Sequence, residues 1–259
     1  MKSKTCEKHG EYKARVISIL GSKKIYEMCP KCAAEAEAKE KAYKEKEATE
    51  RINRNLLLAD IPQRFLGIGF DSFNTSAFPA KQAASVKKAF QSAIKYYKNF
   101  QKARESGSSL IFCGKPGTGK THLACAILQS IIKQGYTGKY TTAMAAIRKI
   151  RDTWSGNAKE SHQQAVNGFI VPDLLVLDEV GVQHGTESEQ IIIYEIIAGR
   201  YDRRLPTILV SNFDKSELIR YIGDRCVDRL EEGDGVTVAF TWGSYRKIGK
   251  TIKGGNKHD

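Results

Sequence analysis

The residues with the clearest chemical meaning form a phosphate-binding loop. They fill every fixed position of the pattern G-x-x-x-x-G-K-[ST], in the order Gly114, Lys115, Pro116, Gly117, Thr118, Gly119, Lys120 and Thr121. An apolar run at 110–113 predicts a strand before the loop, and residues 122–134 predict a helix after it. Lys120 is expected to neutralise the β- and γ-phosphates and Thr121 to hold Mg²⁺, with His122 beside them. The sequence therefore predicts a site for ATP and Mg²⁺.

Two acids follow a second apolar run. Residues 174–177 are Leu, Leu, Val and Leu, and Asp178 and Glu179 come next. This is a Walker B pattern, in which Asp178 holds Mg²⁺ and Glu179 orients and deprotonates the attacking water. Asn212 follows another predicted strand, 207–210, where it either senses the γ-phosphate or is an ordinary turn residue. The aromatic stretch 61–73 either covers a flat base or packs against the core.

Cysteine and histidine spacing near the start of the chain suits zinc. The two pairs are Cys6 with His9 and Cys29 with Cys32, and residues 12–28 between them predict a hairpin. Three thiolates and one imidazole complete a tetrahedral structural site for Zn²⁺, although four unrelated reduced side chains would give the same pattern. The other cysteines stand singly in apolar surroundings and are predicted to fill the core, at Cys113, Cys125 and Cys226.

Charge is concentrated in one part of the 259-residue chain. The formal net charge is +13, and residues 72–151 contain fourteen Lys and Arg but a single acid, Glu105. Such a surface favours a polyanionic partner, nucleic acid above all, although a lysine-rich face that is merely solvated remains an alternative. Since the sequence has neither a secretory signal nor an apolar run of membrane-spanning length, we expect a cytoplasmic protein without a membrane partner.

The order of segments predicts one α/β domain with a small appendage. We expect a zinc-binding module at 1–32, a charged helix at 33–56, the main domain at 57–250 and a disordered basic tail at 251–259. The charged helix has acids four residues before bases, such as Glu35 and Lys39, and it either spaces the two parts or docks on a partner. In the main domain, alternating strands and helices predict a parallel five-stranded sheet flanked by helices, which include 81–104, 144–154 and 188–204.

Taken together, these motifs resemble those of a known family. The segments 114–124 (GKPGTGKTHLA), 174–183 (LLVLDEVGVQ), 223–230 (GDRCVDRL) and 242–246 (WGSYR) are similar to those of the DnaC-type AAA+ ATPases, the bacterial or phage replicative helicase loaders. The resemblance covers about 61–247. The related IstB-type transposition ATPases share most of the nucleotide motifs. The zinc pattern is a departure from the DnaC type.

The resemblance implies roles for further residues. Asn212 corresponds to sensor 1, Arg246 to the nucleotide-contacting sensor 2, and Arg229 to an arginine finger that reaches a neighbouring protomer, with Arg225 as its rival. It also implies a spiral or ring of protomers on the replicative helicase hexamer, gripped through the N-terminal region. Single-stranded DNA would then contact the helix 144–154, through Arg148, Lys149, Arg151 and Trp154.

Two other functions fit parts of the pattern. An IstB-like helper of transposition would bind ATP and DNA with the same motifs. A small-molecule kinase would use the phosphate loop, but it would need an acceptor pocket with a lid, whereas Glu179 suits the activation of water. The sequence therefore favours an ATP-dependent loader of the replicative helicase.

Overall fold

The computed structural model describes residues 3–13, 15–19, 22–26, 29–156, 158–182 and 185–245. It divides into two compact units, residues 1–51 and 52–259. The strands are β1 Ser3–Cys6, β2 Gly10–Lys13, β3 Arg15–Ile19, β4 Ser22–Tyr26, β5 Leu110–Gly114, β6 Gly138–Thr142, β7 Leu174–Val180, β8 Thr207–Ser211 and β9 Val236–Phe240. The helices are α1 Pro30–Leu58, α2 Ala80–Lys98, α3 Phe100–Ser106, α4 Lys120–Lys133, α5 Ala143–Asp152, α6 His162–Ile170, α7 Glu187–Asp202, α8 Lys215–Ile222 and α9 Asp224–Glu231.

The first unit consists of two hairpins and most of a long helix. Strand β1 pairs antiparallel with β2, and β3 pairs antiparallel with β4. The hairpin predicted at 12–28 therefore spans Arg15–Tyr26, and the hairpin before it was not predicted. Helix α1 begins at Pro30 rather than after Cys32, so Cys32 lies in its first turn. Among the side chains of this unit whose burial is described, at 3–13 and 29–51, Cys29 alone is buried.

The second unit is built on the predicted parallel five-stranded sheet. Its strand order is β6-β7-β8-β5-β9, and every neighbouring pair is parallel. Successive side chains of a strand point to opposite faces. Leu110 and Phe112 accordingly join the core beneath α2 and α4, while Ile111 and Cys113 join the core beneath α5 to α9. The predictions of an α/β fold and of buried, core-filling cysteines are confirmed.

The helix predicted at 81–104 is wrong in one respect, because it is interrupted. Asn99 has φ −107° and ψ 21°, outside helical geometry, and it separates α2 from α3. Its side-chain amide donates to the carbonyl of Lys95, a local hydrogen bond that competes with the helix. Helices α6 and α8 were not predicted, and each is less than three turns long.

Candidate nucleotide and metal sites

The phosphate loop connects β5 to α4 at the carboxyl edge of the sheet. Several hydrogen bonds lie within the loop: Thr118 Oγ1 donates to the Lys115 carbonyl at 2.8 Å, and Lys120 Nζ donates to the carbonyls of Gly114 and Lys115 at 2.5 and 2.8 Å. The Lys120 side chain is buried, so its ammonium is held within the loop. The loop thus has the strand–loop–helix setting that the sequence predicts, with the N-terminus of α4 directed at the anion site.

Two of the loop glycines cannot be replaced without a clash. Gly117 has φ +79°, and a Cβ there would lie 2.1 Å from Ser244 Oγ. Gly119 has φ +96°, and its Cβ would lie 2.5 Å from Cε2 of Phe73. Both positions therefore combine a left-handed backbone with close packing, which only glycine tolerates.

Asp178 lies buried beside the loop and is fully hydrogen-bonded. Its Oδ2 accepts from Thr121 Oγ1 at 2.9 Å and from the Tyr140 hydroxyl at 2.8 Å, and its Oδ1 accepts from the Glu179 amide at 2.7 Å. A hydroxyl next to a carboxylate provides the oxygen ligands that Mg²⁺ takes, so the predicted pair fits that ion. Sequence reasoning missed Tyr140, because its contact depends on the pairing of β6 with β7, which puts Thr142 opposite Asp178.

Burial raises the pKa of Tyr140, and the charge of Asp178 raises it further. The phenol therefore keeps its proton throughout the physiological range. It can act only as a donor towards the carboxylate, and this holds the aspartate in one orientation beside Thr121.

Glu179 follows Asp178 in an unusual backbone conformation. Its φ is +58°, and the ladder between β7 and β8 changes register between Leu177 and Val180. A non-glycine residue at positive φ is strained by roughly 1–3 kcal/mol, and such strain is concentrated at functional sites. The Ser211 hydroxyl donates to the Val180 carbonyl at 2.6 Å and anchors this irregular end of β7. As a result, Glu179 is exposed next to the buried Asp178.

These groups line one cavity of about 320 Å³. Its lining includes Lys120, Thr121, Asp178, Glu179 and Asn212. Aromatic side chains line the other parts, namely Phe65, Phe73, Phe78 and Tyr245. From the sequence, the stretch 61–73 could either cover a flat base or pack against the core. In the structure it contributes side chains to the core and also lines the cavity.

His122 connects the helix after the loop to that aromatic stretch. Its Nε2 lies 3.0 Å from Ser72 Oγ and 3.4 Å from the Gly69 carbonyl, and its ring meets Phe73 edge-on at 5.4 Å. Burial lowers the pKa of His122, although the Gly69 carbonyl opposes the shift. The histidine lines the cavity as a neutral ring whose contacts are with protein.

The segment after β9, residues 241–245, packs against the phosphate loop. Trp242 is buried and donates its indole N–H to the Thr118 carbonyl at 3.0 Å. The Tyr245 amide donates to the Gly117 carbonyl at 2.9 Å. Arg246, the predicted sensor 2 residue, lies outside the described residues.

The two rival finger arginines differ in their surroundings. The Arg229 guanidinium lies 5.0 Å from the ring centre of Tyr194 and 5.2 Å from that of Tyr201, both on α7. Its Nη1 is buried without a hydrogen-bond partner among the described residues. Arg225, one turn earlier on α9, is exposed.

The four predicted DNA contacts divide into two pairs. Arg148 and Trp154 are exposed. Lys149 Nζ instead lies 3.3 Å from a Glu160 carboxylate oxygen. Arg151 donates to Ser188 Oγ at 2.7 Å, and it also lies 3.6 Å from the buried carboxylate of Glu189. Lys149 and Arg151 therefore already have partners within the protein.

The predicted zinc ligands converge in the first unit. The Nδ1 atom of His9 lies 3.8 Å from Cys6 Sγ, 3.7 Å from Cys29 Sγ and 3.3 Å from Cys32 Sγ, and the sulfurs of Cys6 and Cys32 are 3.5 Å apart. A tetrahedral ion with Zn–S of about 2.3 Å and Zn–N of about 2.0 Å sets its ligands roughly 3.5–3.8 Å apart. The donor set and its spacing fit Zn²⁺. The three cysteines of the cluster, Cys6, Cys29 and Cys32, form no disulfide.

Glu35 supports this cluster from α1. Its Oε1 lies 3.0 Å from His9 Nε2, and Lys8 forms an ion pair with the same carboxylate. A histidine that ligates zinc commonly donates its other ring N–H to a carboxylate, which fixes its tautomer. From the sequence we expected Glu35 to pair with Lys39 along the helix. In the structure, the Glu35 carboxylate contacts the ring of His9.

Comparison with known proteins gives the family. The family model described as "IstB-like ATP binding protein" matches residues 70–231, which include the phosphate loop, the Walker B acids and both finger candidates. The chain belongs to the IstB-like ATP-binding proteins. As an IstB-like protein it carries a nucleotide-binding domain, in agreement with the cavity described above.

Among curated relatives of this IstB-like protein are replicative helicase loaders. The one named "Replicative helicase loader DnaC" from Escherichia coli strain K12 is 37% identical over 139 residues, 54% of this chain and 56% of the relative. The protein of the same name from Buchnera aphidicola subsp. Baizongia pistaciae is 31% identical over 197 residues, 76% of each chain. The matched region thus spans little more than half of the E. coli protein and about three quarters of the Buchnera one.

A solved structure supports the fold of the main domain. The crystal structure of the DnaC helicase loader superposes with a TM-score of 0.58 at 24% identity, over 69% of this chain and 99% of that chain. The second unit therefore shares the fold of that structure. In the part of the chain that the structure describes, no helix is long and apolar enough to cross a bilayer.

Proposed function

We propose that this protein is an ATP-dependent loader that binds the replicative DNA helicase and delivers it onto single-stranded DNA in replication. The observation that carries the proposal is the convergence of Lys120, Thr121, Asp178 and Glu179 on one cavity, in a chain whose relatives are named as replicative helicase loaders. ATP hydrolysis would control the release of the helicase.

Hydrolysis follows from the positions of these side chains. Lys120 would neutralise the β- and γ-phosphates, while Thr121 and Asp178 would hold Mg²⁺, which supplies further charge neutralisation when bound. Glu179 is exposed to the cavity and would accept a proton from the attacking water. Asn212, at the end of β8 on the same cavity, would orient that water or contact the γ-phosphate.

Assembly would complete the site. Arg229 would reach the nucleotide of a neighbouring protomer and stabilise the charge of the transition state, so that hydrolysis accelerates when protomers form a spiral or ring on the helicase. The two tyrosine rings hold its guanidinium in one direction on α9, which supports Arg229 over the exposed Arg225. If Arg229 is the finger, Arg229→Ala should abolish the stimulation of hydrolysis by the helicase, and Arg225→Ala should not.

The N-terminal region would bind the helicase hexamer. We assign residues 1–32 to a module with structural Zn²⁺, 33–56 to a docking helix, 57–250 to the ATPase domain and 251–259 to a basic tail. The convergence of Cys6, His9, Cys29 and Cys32 supports the zinc module, and bound metal would supply folding free energy to this small unit. Single-stranded DNA would contact α5 through Arg148, Lys149, Arg151 and Trp154, of which Arg148 and Trp154 are the more accessible.

The proposal is tested by mixing the full chain with a bacterial replicative helicase and ATP, and measuring mass by size-exclusion chromatography with light scattering. We expect a complex that Glu179→Gln preserves, since hydrolysis is blocked, and that Lys120→Ala weakens. Failure to form a complex with any cognate helicase would contradict the loader function.

A second function has one observation in its favour. The matching family model is described as "IstB-like ATP binding protein", and the residues that it matches, 70–231, do not include the N-terminal unit. An IstB-like helper would bind a transposase in the same chromatographic assay, and it would not need the cysteine cluster for that contact.

A further inference from the structure

A groove runs along α2 on the outer surface of the second unit. It encloses about 870 Å³. The lysines Lys87, Lys95 and Lys98 line it, together with the apolar side chains of Phe78, Phe90 and Ile94. The groove thus combines positive charge along its edge with an apolar floor.

The positive charge on α2 is not balanced by acidic residues of the same helix. No Asp or Glu occurs between Ala80 and Arg104, and α2 also carries the exposed Lys81 and Lys88. Within the described ranges, none of these lysines forms an ion pair, whereas Lys139 and Lys215 elsewhere in the second unit do. A lysine-rich face that is not neutralised internally attracts a polyanion.

The floor of the groove contains one half-buried aromatic ring, Phe90, and one buried ring, Phe78. Phe90 is half-buried and stacks on Phe73 with ring centres 5.6 Å apart and planes at 10°. Phe78 lines both this groove and the nucleotide cavity. A ligand in the groove would therefore contact Phe78 and Phe90, and these rings either line the nucleotide cavity themselves or stack on Phe73, which does.

We propose that this groove binds single-stranded nucleic acid, with phosphates on Lys87, Lys95 and Lys98 and bases against Phe90 and Ile94. Single strands alternate a charged backbone with flat apolar bases, and proteins bind them with a basic groove beside aromatic side chains. An acidic protein segment would use the charge but not the floor, so the groove favours nucleic acid.

The groove is distinct from the DNA surface proposed on α5. Helix α2 packs on one face of the sheet and α5 on the other. The inference deepens the proposed function, since it names a second contact with the polymer onto which a loader delivers the helicase. It requires neither the helicase nor ATP, so it is tested on the full chain alone.

The test compares two variants that lose the same charge. Lys87→Gln, Lys95→Gln and Lys98→Gln are combined in one, and Lys133→Gln, Arg203→Gln and Arg220→Gln, all at exposed positions of the second unit, form the control. Fluorescence anisotropy measures the binding of a labelled oligothymidylate of about 20 nucleotides over a range of salt concentrations. We expect affinity about tenfold below the control and a salt slope smaller by about 2, since each phosphate contact contributes roughly 0.7.

Three results would overturn the proposal. The first is a groove variant that binds oligothymidylate as the control does. The second is loss of binding only on Arg148→Gln with Trp154→Leu, which would leave DNA contact to α5 alone. The third is loss of affinity for polyglutamate without loss for oligothymidylate, which would assign the groove to an acidic protein. Complex formation with the helicase is measured separately, so failure of the loader function would be recognised independently.

Discussion

The hydroxyl of Tyr140 donates a hydrogen bond of 2.8 Å to Asp178 Oδ2, the oxygen that also accepts from Thr121. The contact crosses from β6 to β7 at the edge of the sheet where the nucleotide cavity lies. It gives the proposed magnesium aspartate a fixed orientation that neither the phosphate loop nor the Walker B motif provides by itself.

Tyr140→Phe should weaken the response to Mg²⁺. The variant keeps the ring in the core and removes only the donor, and loss of such a supporting hydrogen bond costs about tenfold in metal affinity or activity. We expect the Mg²⁺ concentration for half-maximal hydrolysis to rise by about that factor, while nucleotide binding without Mg²⁺ is unchanged.

The matched control is Tyr96→Phe. Tyr96 is also buried, and its hydroxyl donates to the Ser108 carbonyl at 2.9 Å, at the opposite edge of the sheet. An equal change in Mg²⁺ dependence in both variants would mean that Tyr140 acts only through stability.

Glu179→Gln should separate ATP binding from hydrolysis. The amide keeps the size of the side chain but cannot accept the proton of water, so turnover should fall by roughly 10²-fold or more while affinity for ATP is retained. Equilibrium binding of a fluorescent ATP analogue and phosphate release measure the two properties. Loss of binding in this variant would assign Glu179 a structural role in the irregular end of β7.

Metal analysis should find about one zinc per chain, and Cys29→Ser combined with Cys32→Ser should remove it. Cys226→Ala, at a buried cysteine of the second unit, is the control and should retain the metal. Chelation should unfold the first unit, because metal binding is expected to supply its folding free energy, and it should leave nucleotide binding intact. A protein that is folded at its N-terminus without metal would contradict this prediction.

Glu35→Gln tests the support of the zinc site. The amide retains a hydrogen bond to His9 but loses the charge, so zinc affinity should fall by about tenfold, less than for loss of a ligand. Competition with a chromophoric chelator measures this affinity. An unchanged affinity would mean that the Glu35 contact does not orient His9.

Asp173 should stabilise the second unit in a pH-dependent way. Burial opposes ionisation of this carboxylate, but hydrogen bonds from Arg104 at 2.8 Å and from the amide and hydroxyl of Thr137 at 2.9 and 2.7 Å outweigh it, and the pKa lies below its ordinary value of 3.8. A lowered folded-state pKa gives stability that is fully present above the ordinary value and is lost as pH falls through the folded-state pKa.

Asp173→Asn should therefore cost about 1–3 kcal/mol in the free energy of unfolding at pH 7, and the difference from wild type should shrink below about pH 4. Urea unfolding at several pH values measures it. Asp234→Asn, at an exposed position, is the control and should show little change. A cost that did not decrease in acid would show that the charge of Asp173 is not responsible.

Local sequence patterns were sufficient to predict much of the nucleotide site. The phosphate loop, the Walker B acids and the parallel sheet follow from short segments whose chemistry depends on their own spacing. The pairs Cys6 with His9 and Cys29 with Cys32 could also be recognised from the sequence, because metal coordination needs a fixed number of donors at short separations. A periodic signal could not show the break at Asn99, because the helical pattern continues on both sides of it.

What the sequence by itself determined is the chemistry: a phosphate loop that ends at Lys120 and Thr121, two acids at a strand end, and two pairs of Cys and His donors with metal-ligand spacing. Tertiary structure alone decided which side chains support these groups. Tyr140 meets Asp178 through strand pairing, Glu35 meets His9 through the start of α1, and Phe73 meets Gly119 through the path of an irregular segment. These partners are 38, 26 and 46 residues apart in the chain. Contacts at such separations depend on how elements pack, and no local pattern of residue types encodes that.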